Sequence, residues 1–191
     1  SSLIIESILN TEFSYTIIIS IANFAEINAY FFAPHINELL EKLLNISMNQ
    51  EIINDIREPA IIAIMSIARN APEMIASIEN LYENIVAPLV LIVSEIDDDN
   101  YNDEEVDKPI YGLALDTIET IDQSVKAKDG FHRILEIYQS VLTGSPPDSQ
   151  VSSLLEYFKD GQDSWQAKYA LISSLSVLMN PFCDLNIKFV L

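Results

Sequence analysis

The densest chemical feature of this sequence is a run of carboxylates from Glu95 to Asp107, with Lys108 the only basic residue nearby. Its members are Glu95 and the seven candidate partner-binding residues Asp97, Asp98, Asp99, Asp103, Glu104, Glu105 and Asp107. Like charges at this density repel one another and disfavour a compact local structure. We therefore expect residues 97–108 to form an exposed acidic loop inside one helical repeat, which would bind a basic protein partner.

Two other interpretations of the acidic run stay open. It could be a solubilising loop with no partner, since charge alone does not specify one. It could also bind calcium, because residues 97–99 with Asp103 and Glu104 offer oxygen ligands. The ordered ligand spacing and the central glycine of an EF-hand loop are missing, however, which disfavours a metal site. His35 and His132 show no ligand spacing either, so we expect no metal and no cofactor.

One aromatic residue is a candidate partner contact. Trp165 could hold the aliphatic stem of a lysine from a bound protein. A tryptophan in the first turn of a packed helix also commonly fills space between repeats, so both roles remain open.

The sequence contains no catalytic framework that we can identify. Serine, histidine and aspartate are all present, but no nucleophile elbow, glycine-rich phosphate loop or cysteine–histidine arrangement surrounds them. We therefore expect a protein that binds other proteins and is not an enzyme.

Composition narrows the class of partner. The formal net charge of −19 disfavours direct contact with nucleic acid or with an anionic membrane, because both require lysine and arginine. The single cysteine, Cys183, cannot form an intramolecular disulfide, which is typical of the reducing cytoplasm and nucleus.

The stretch 13–33 is apolar enough to raise the question of a membrane span. It contains Glu26 and lacks flanking basic residues, so a helix buried in protein is the preferred interpretation. No signal-peptide pattern is visible at the start, and the last residues, 187–191, form an apolar run without a helix stop. We expect an internal fragment of a longer protein.

Apolar spacing predicts helices along most of the chain. Between Pro34 and Ser47, five apolar residues follow the helical rule at Ile36, Leu39, Leu40, Leu43 and Leu44. Further helices are predicted at residues 3–9, 17–28, 59–68, 80–96 with a kink at Pro88, 109–125, 131–142, 151–158 and 163–179. In the last helix, Asp163 and Gln166 stand at the two positions of a capping box.

The helices alternate between short and long with tight turns between them. The short helices that start near Ile36 and Asn80 lie one repeat apart, within the roughly 40–47 residues of a HEAT unit. This spacing predicts an all-α chain in which residues 1–191 form one HEAT-repeat solenoid of about four to five helix pairs.

Four stretches resemble the importin-β family of nuclear import receptors, most of all its karyopherin beta-three branch. They are, in order, Phe32-Ala33-Pro34-His35-Ile36; Arg57-Glu58-Pro59-Ala60 through Ala68-Arg69-Asn70-Ala71-Pro72; Ile85-Val86-Ala87-Pro88-Leu89-Val90 running into Ser94-Glu95-Ile96-Asp97-Asp98-Asp99; and Asp163-Ser164-Trp165-Gln166-Ala167-Lys168-Tyr169-Ala170. The resemblance spans roughly residues 17–179, although residues 109–151 depart from the family pattern and are longer.

The resemblance implies HEAT repeats, import of basic cargo proteins between cytoplasm and nucleus, release of cargo by Ran-GTP, and nucleoporins as further partners. It also implies that the acidic run, residues 97–107, touches basic surface on Ran or on cargo. Two alternatives share the helical repeats: a HEAT scaffold of the phosphatase-subunit type, and an acidic chaperone for histones or ribosomal proteins.

Overall fold

The computed structural model describes residues 14–96, 109–125 and 164–183. These residues form helices and turns, and no strand occurs among them, so the prediction of an all-α chain is confirmed. The predicted helices at 3–9, 131–142 and 151–158 lie outside the described residues, as do Asp163 and the acidic loop at 97–108.

The chain order of the elements is as follows. They are α1 (Ser14–Asn28), a 3₁₀ helix (Ala29–His35), α2 (Ile36–Met48), α3 (Asn54–Asn70), α4 (Pro72–Ala76), a π-helical turn (Tyr82–Val86), α5 (Ala87–Val93), α6 (Ile110–Val125) and α7 (Trp165–Cys183).

Two helices follow the predicted apolar spacing closely. In α2, the five residues at helical spacing from Ile36 to Leu44 are all buried. In α6, the same is true of Ile110, Ala114, Ile118 and Ile121. A stripe of this width places one side of each helix against the core.

Helix α3 begins at Asn54, so the prediction that it begins at Pro59 was wrong. Its first turn is already formed before the proline, because the Ile53 carbonyl accepts hydrogen bonds from the backbone N–H groups of Ile56 and Arg57. Proline removes one donor and crowds the preceding turn, which normally ends or kinks a helix. Here the buried side chain of Arg57 makes tertiary contacts that hold this turn in place.

Pro88 is accommodated by a change of helix type in the turn before it. The π-helical turn Tyr82–Val86 leads directly into α5, and the backbone N–H of Ala87 bonds to the carbonyl of Tyr82, five residues back. Because proline has no N–H and crowds the preceding turn, widening that turn relieves the clash. The structure thus has a π turn before Pro88, where the sequence predicted a kink in one continuous helix.

Helix α3 is the centre of the described structure. It packs on α1 at one side and on α6 at the other, and α6 in turn packs on α7. The side chains of Ile61, Ile64 and Ile67 on α3 are completely buried. Helices α1, α3, α6 and α7 thus form a row in which each member contacts its neighbour.

A second set of helices covers this row. Helix α2 packs on α3, α5 packs on α6, and α2 and α5 also contact each other. The short helix α4 packs on α3 and α6. The described helices are therefore arranged in two layers.

The helical run Tyr15–Met48 is long and apolar enough to cross a membrane by length and composition alone, with a mean hydropathy of 1.4 and 33% of its best window buried. A core helix can have the same composition. Within this run, Ile18, Ile21 and Ala25 of α1 belong to the core. Glu26 is exposed on α1.

Candidate partner-binding site

Both ends of the acidic run are fixed by buried residues. Asp97, Asp98, Asp99, Asp103, Glu104, Glu105 and Asp107 themselves lie outside the described residues. On the N-terminal side Ile96 is 2% exposed, and on the C-terminal side Ile110 is 7% exposed. The chain is therefore buried directly before residue 97, at Ile96, and again at the first residue of α6, Ile110.

A buried ion pair holds the point where the acidic run begins. The Arg57 guanidinium donates through Nη2 to both carboxylate oxygens of Glu95, each at 2.7 Å. The same guanidinium donates through Nε to the carbonyl of Ser47 at 2.7 Å and through Nη1 to Asn54 Oδ1 at 3.1 Å. Because the side chains of Arg57 and Glu95 are 4% and 14% exposed, this network ties the ends of α2 and α5 to the start of α3.

This pair is a contact that the sequence did not indicate. Lys108 is the basic residue nearest the acidic run along the chain, but in space Arg57 neutralises Glu95. The two residues are separated by 38 positions, so no local spacing could have indicated the contact. Glu95 is consequently a structural residue, and the candidate binding carboxylates begin at Asp97.

Trp165 lies close to the point where the acidic run ends. It is the first residue of α7, its side chain is 39% exposed, and its ring stands edge-on to that of Tyr169 at 6.4 Å between centroids. The Tyr169 ring in turn stands edge-on to Tyr111, also at 6.4 Å. Tyr111 is in the first turn of α6, two residues after Pro109, where the acidic run rejoins the fold.

We call Trp165, Tyr169 and Tyr111 the aromatic row. The aromatic row links Trp165, through two ring contacts, to the first turn of α6, which follows the acidic run in the sequence. A partly exposed tryptophan ring can bind an ammonium or guanidinium group by cation–π attraction. The positions of Tyr111 and Tyr169 along the chain do not indicate that they belong to the same site.

The described surface is also acidic away from the acidic run. Its exposed carboxylates are Glu26, Glu38, Glu41, Glu51, Asp55, Glu73 and Glu79, and its exposed basic residues are Arg69 and Lys168. Glu41 and Glu79 line a groove of about 690 Å³, which also contacts α2 at Asn37 and Asn45. Such a surface attracts basic proteins over distances of roughly a Debye length, about 8–10 Å at physiological salt.

One buried carboxyl group, that of Asp122, was not predicted from the sequence. Asp122 on α6 is 8% exposed and accepts a hydrogen bond from the Tyr82 hydroxyl at 3.2 Å. Burial raises the pKa of Asp122 above its ordinary value, and the hydrogen bond from Tyr82 opposes that shift. Its position directly after the buried Ile121 is the feature that could have indicated burial.

No group of three or more histidine, cysteine or acidic residues close enough to hold a metal ion occurs in the described ranges. His35 lies at the start of α2, with Nδ1 4.0 Å from Glu38 Oε2, and Glu38 Oε1 also pairs with Lys42 at 3.3 Å. His132 lies outside the described residues.

Comparison with known proteins gives no relative for this chain. No family model, no curated protein and no solved structure matches it.

Proposed function

We propose that this chain is part of a HEAT-repeat solenoid that binds basic protein segments, and that it belongs to a nuclear transport receptor of the importin-β type. The two-layer packing of helices, in which each member of the row contacts its neighbour, supports the solenoid part of the proposal. The net charge of −19 supports a basic protein as the partner.

The observation that supports the binding proposal is the contact of the aromatic row with the first turn of α6, which follows the acidic run in the sequence. Carboxylates attract a basic segment from a distance but bind weakly when they are exposed to water. The partly exposed ring of Trp165 adds a contact that depends on geometry, because a cation must lie over the ring. A lysine-rich segment could thus use both the carboxylates of residues 97–107 and the aromatic row.

The Arg57–Glu95 pair contributes to this proposal by positioning. It fixes the last turn before the acidic run against α3, so the run starts from one place on the surface. A fixed start raises the local concentration of carboxylates near the aromatic row without any direct contact between Arg57 and the partner.

The assignment to nuclear import rests on the resemblance of the four sequence stretches. In that class, basic cargo would bind the inner surface of the receptor, and Ran-GTP would release it. Asp97, Asp98, Asp99, Asp103, Glu104, Glu105 and Asp107 would contact basic surface on the cargo or on Ran.

The first experiment measures the affinity of a lysine-rich peptide at several salt concentrations. In the test variant, Asp97, Asp98 and Asp99 are changed to asparagine; in the control variant, the exposed Glu26, Glu51 and Glu73 are changed to glutamine. Both variants lose the same formal charge. At about 0.5 kcal/mol per exposed ion pair, we expect the test variant to bind roughly tenfold more weakly.

A Trp165→Ala variant tests the aromatic row separately. Since a cation–π contact at an exposed site contributes about 0.5–1 kcal/mol, we expect a two- to fivefold loss of affinity with an unchanged salt slope. Equal losses for the test and control carboxylate variants, together with full affinity for Trp165→Ala, would show that net charge alone attracts the peptide.

The transport assignment needs a different experiment with the longer receptor that contains this chain. We expect Ran-GTP to bind it and to displace the lysine-rich peptide, whereas Ran-GDP should not. Recovery of phosphatase subunits without Ran would instead favour a scaffold, and binding of basic proteins unaffected by Ran-GTP would favour a chaperone.

A further inference from the structure

The groove that Glu41 and Glu79 line is formed by elements of the second layer. One wall is α2, and the other is the chain over residues 77–84, between α4 and the π-helical turn. Leu40, Leu44 and Ile85 lie at its floor and are at most 5% exposed. Its volume of about 690 Å³ is within the range of ligand-binding clefts, roughly 300–1,000 Å³.

Three exposed polar residues of α2 follow one another along this groove. Asn37, Glu41 and Asn45 are four positions apart, so they share one face of the helix. At a rise of 1.5 Å per residue, the first and the last are about 12 Å apart along the helix axis. The hydrogen bonds and ion pairs among the described residues leave all three side chains unpaired, so they can bind a ligand.

The opposite wall is held in a defined conformation. Asn84 donates through Nδ2 to the carbonyl of Glu79 at 2.9 Å, and its backbone N–H donates to the carbonyl of Asn80 at 2.8 Å. Asn80 itself has a φ of 50°, in the left-handed region that asparagine adopts more readily than most residues. The backbone that carries the exposed Glu79 is therefore fixed, and each wall of the groove presents one carboxylate.

The charge of the groove determines which ligands it can bind. Among the described residues that line it there is no lysine, arginine or histidine, so a phosphate or carboxylate group would be repelled by Glu41 and Glu79. A lysine or arginine side chain would instead find a carboxylate on either wall. Its aliphatic stem would cover the apolar floor, as long basic side chains commonly do.

The two amides favour an extended ligand. An asparagine side chain has both donors and an acceptor, so it can pair with the N–H and C=O groups of a peptide backbone. In a helix those groups are already bonded to each other, whereas in an extended chain they are free. Since an extended chain advances about 3.3 Å per residue, the distance between Asn37 and Asn45 corresponds to about three to four residues.

We propose that this groove binds an extended peptide segment, with a lysine or arginine side chain between Glu41 and Glu79 and the peptide backbone paired with Asn37 and Asn45. This site uses neither the carboxylates of residues 97–107 nor the aromatic row. Each of the two sites can therefore be tested without the other.

The first test measures the affinity of the whole 191-residue chain for a fluorescently labelled hexapeptide of alternating lysine and alanine, by anisotropy. Glu41→Gln with Glu79→Gln should bind this peptide roughly fivefold more weakly, because two ion pairs are lost. The control, Glu26→Gln with Glu73→Gln, removes the same formal charge from exposed sites outside the groove and should change the affinity by less than about twofold. Equal losses in the two variants would overturn the proposal.

The second test concerns the amides. Asn37→Ala with Asn45→Ala should weaken binding roughly fivefold, since each amide contributes a hydrogen bond to the peptide, whereas Asn23→Ala with Asn28→Ala, at exposed positions of α1, should have no effect. A peptide of the same sequence with methylated backbone nitrogens keeps its charge but lacks the N–H donors. It should bind the parent several-fold more weakly, and equal affinity for the two peptides would show that the groove does not pair with the backbone.

A third comparison separates this site from the acidic run. The variant with Asp97, Asp98 and Asp99 changed to asparagine should keep most of its affinity for the hexapeptide. An affinity lost only in that variant would overturn the groove site and leave the proposed function standing, and no binding of the hexapeptide to the parent would also overturn the groove site. Circular dichroism checks that the helices of every variant remain folded.

Discussion

The buried pair of Arg57 and Glu95 makes the sharpest prediction about stability. In Glu95→Gln the shape of the side chain is kept, but the guanidinium of Arg57 remains 4% exposed without a compensating charge. Removing one partner of a buried pair costs about 3–5 kcal/mol. Because Glu95 keeps 14% exposure, we expect a loss near the lower end, about 3 kcal/mol of the free energy of unfolding.

Thermal unfolding followed by circular dichroism measures this loss. For a chain of this length each kcal/mol shifts Tm by roughly 2–4 °C, so Glu95→Gln should unfold roughly 6–12 °C below the parent. The exposed Glu26→Gln carries the same chemical change and should stay within about 0.5 kcal/mol. Adding Arg57→Met to Glu95→Gln should recover part of the loss, because no uncompensated charge is then buried.

The reasoning would be refuted if Glu95→Gln unfolded at the same temperature as Glu26→Gln. It would also be refuted if the double variant were as unstable as the sum of the two single variants, since the residues would then act independently.

Three further predictions concern the core. Asp122→Asn should be more stable than the parent at neutral pH. Because the pKa of Asp122 is raised in the folded state, the parent loses stability as the pH rises from the ordinary pKa of aspartate through the pKa in the folded state. Urea titrations at several pH values should show this loss in the parent and not in the variant. Ile64→Ala on α3 should cost about 2–5 kcal/mol by urea unfolding, whereas Ile53→Ala, at a site 64% exposed, should cost less than about 0.5 kcal/mol. Pro88→Ala should raise the free energy of unfolding, measured by urea titration, by about 1 kcal/mol, because part of the ~3 kcal/mol penalty of an internal proline is already relieved by the π turn.

The sequence predicted the helices best where apolar spacing was regular. The apolar residues at helical spacing between Ile36 and Leu44 lie on the buried side of α2, as expected. Those between Ile110 and Ile121 lie on the buried side of α6. It failed at the N-terminus of α3, where Pro59 predicted the first residue of the helix but the helix begins at Asn54. The first turn of α3 depends on the contact of Arg57 with Glu95. Because these residues are 38 positions apart, the spacing of residues around Pro59 does not indicate the contact.

In the candidate site too, the sequence indicates features formed by neighbouring residues and does not indicate contacts between distant ones. The acidic run is obvious in the sequence because its residues are neighbours along the chain. The aromatic row is not, because Tyr111 and Tyr169 come into contact only through the packing of α6 on α7. The burial of Asp122 was not predicted for a related reason. A single carboxylate on an apolar helix face is recognised as buried only when its hydrogen-bond partner, here Tyr82, is known.

The second layer has a mechanical consequence for the row of helices from α1 to α7. Helix α4 contacts both α3 and α6, and α5 contacts both α6 and α7, so each of these two helices spans a contact between neighbours in the row. A rotation of α6 against α3 or against α7 therefore also disturbs the packing of the helix that bridges them, which makes this part of the row stiffer than the contacts within the row alone.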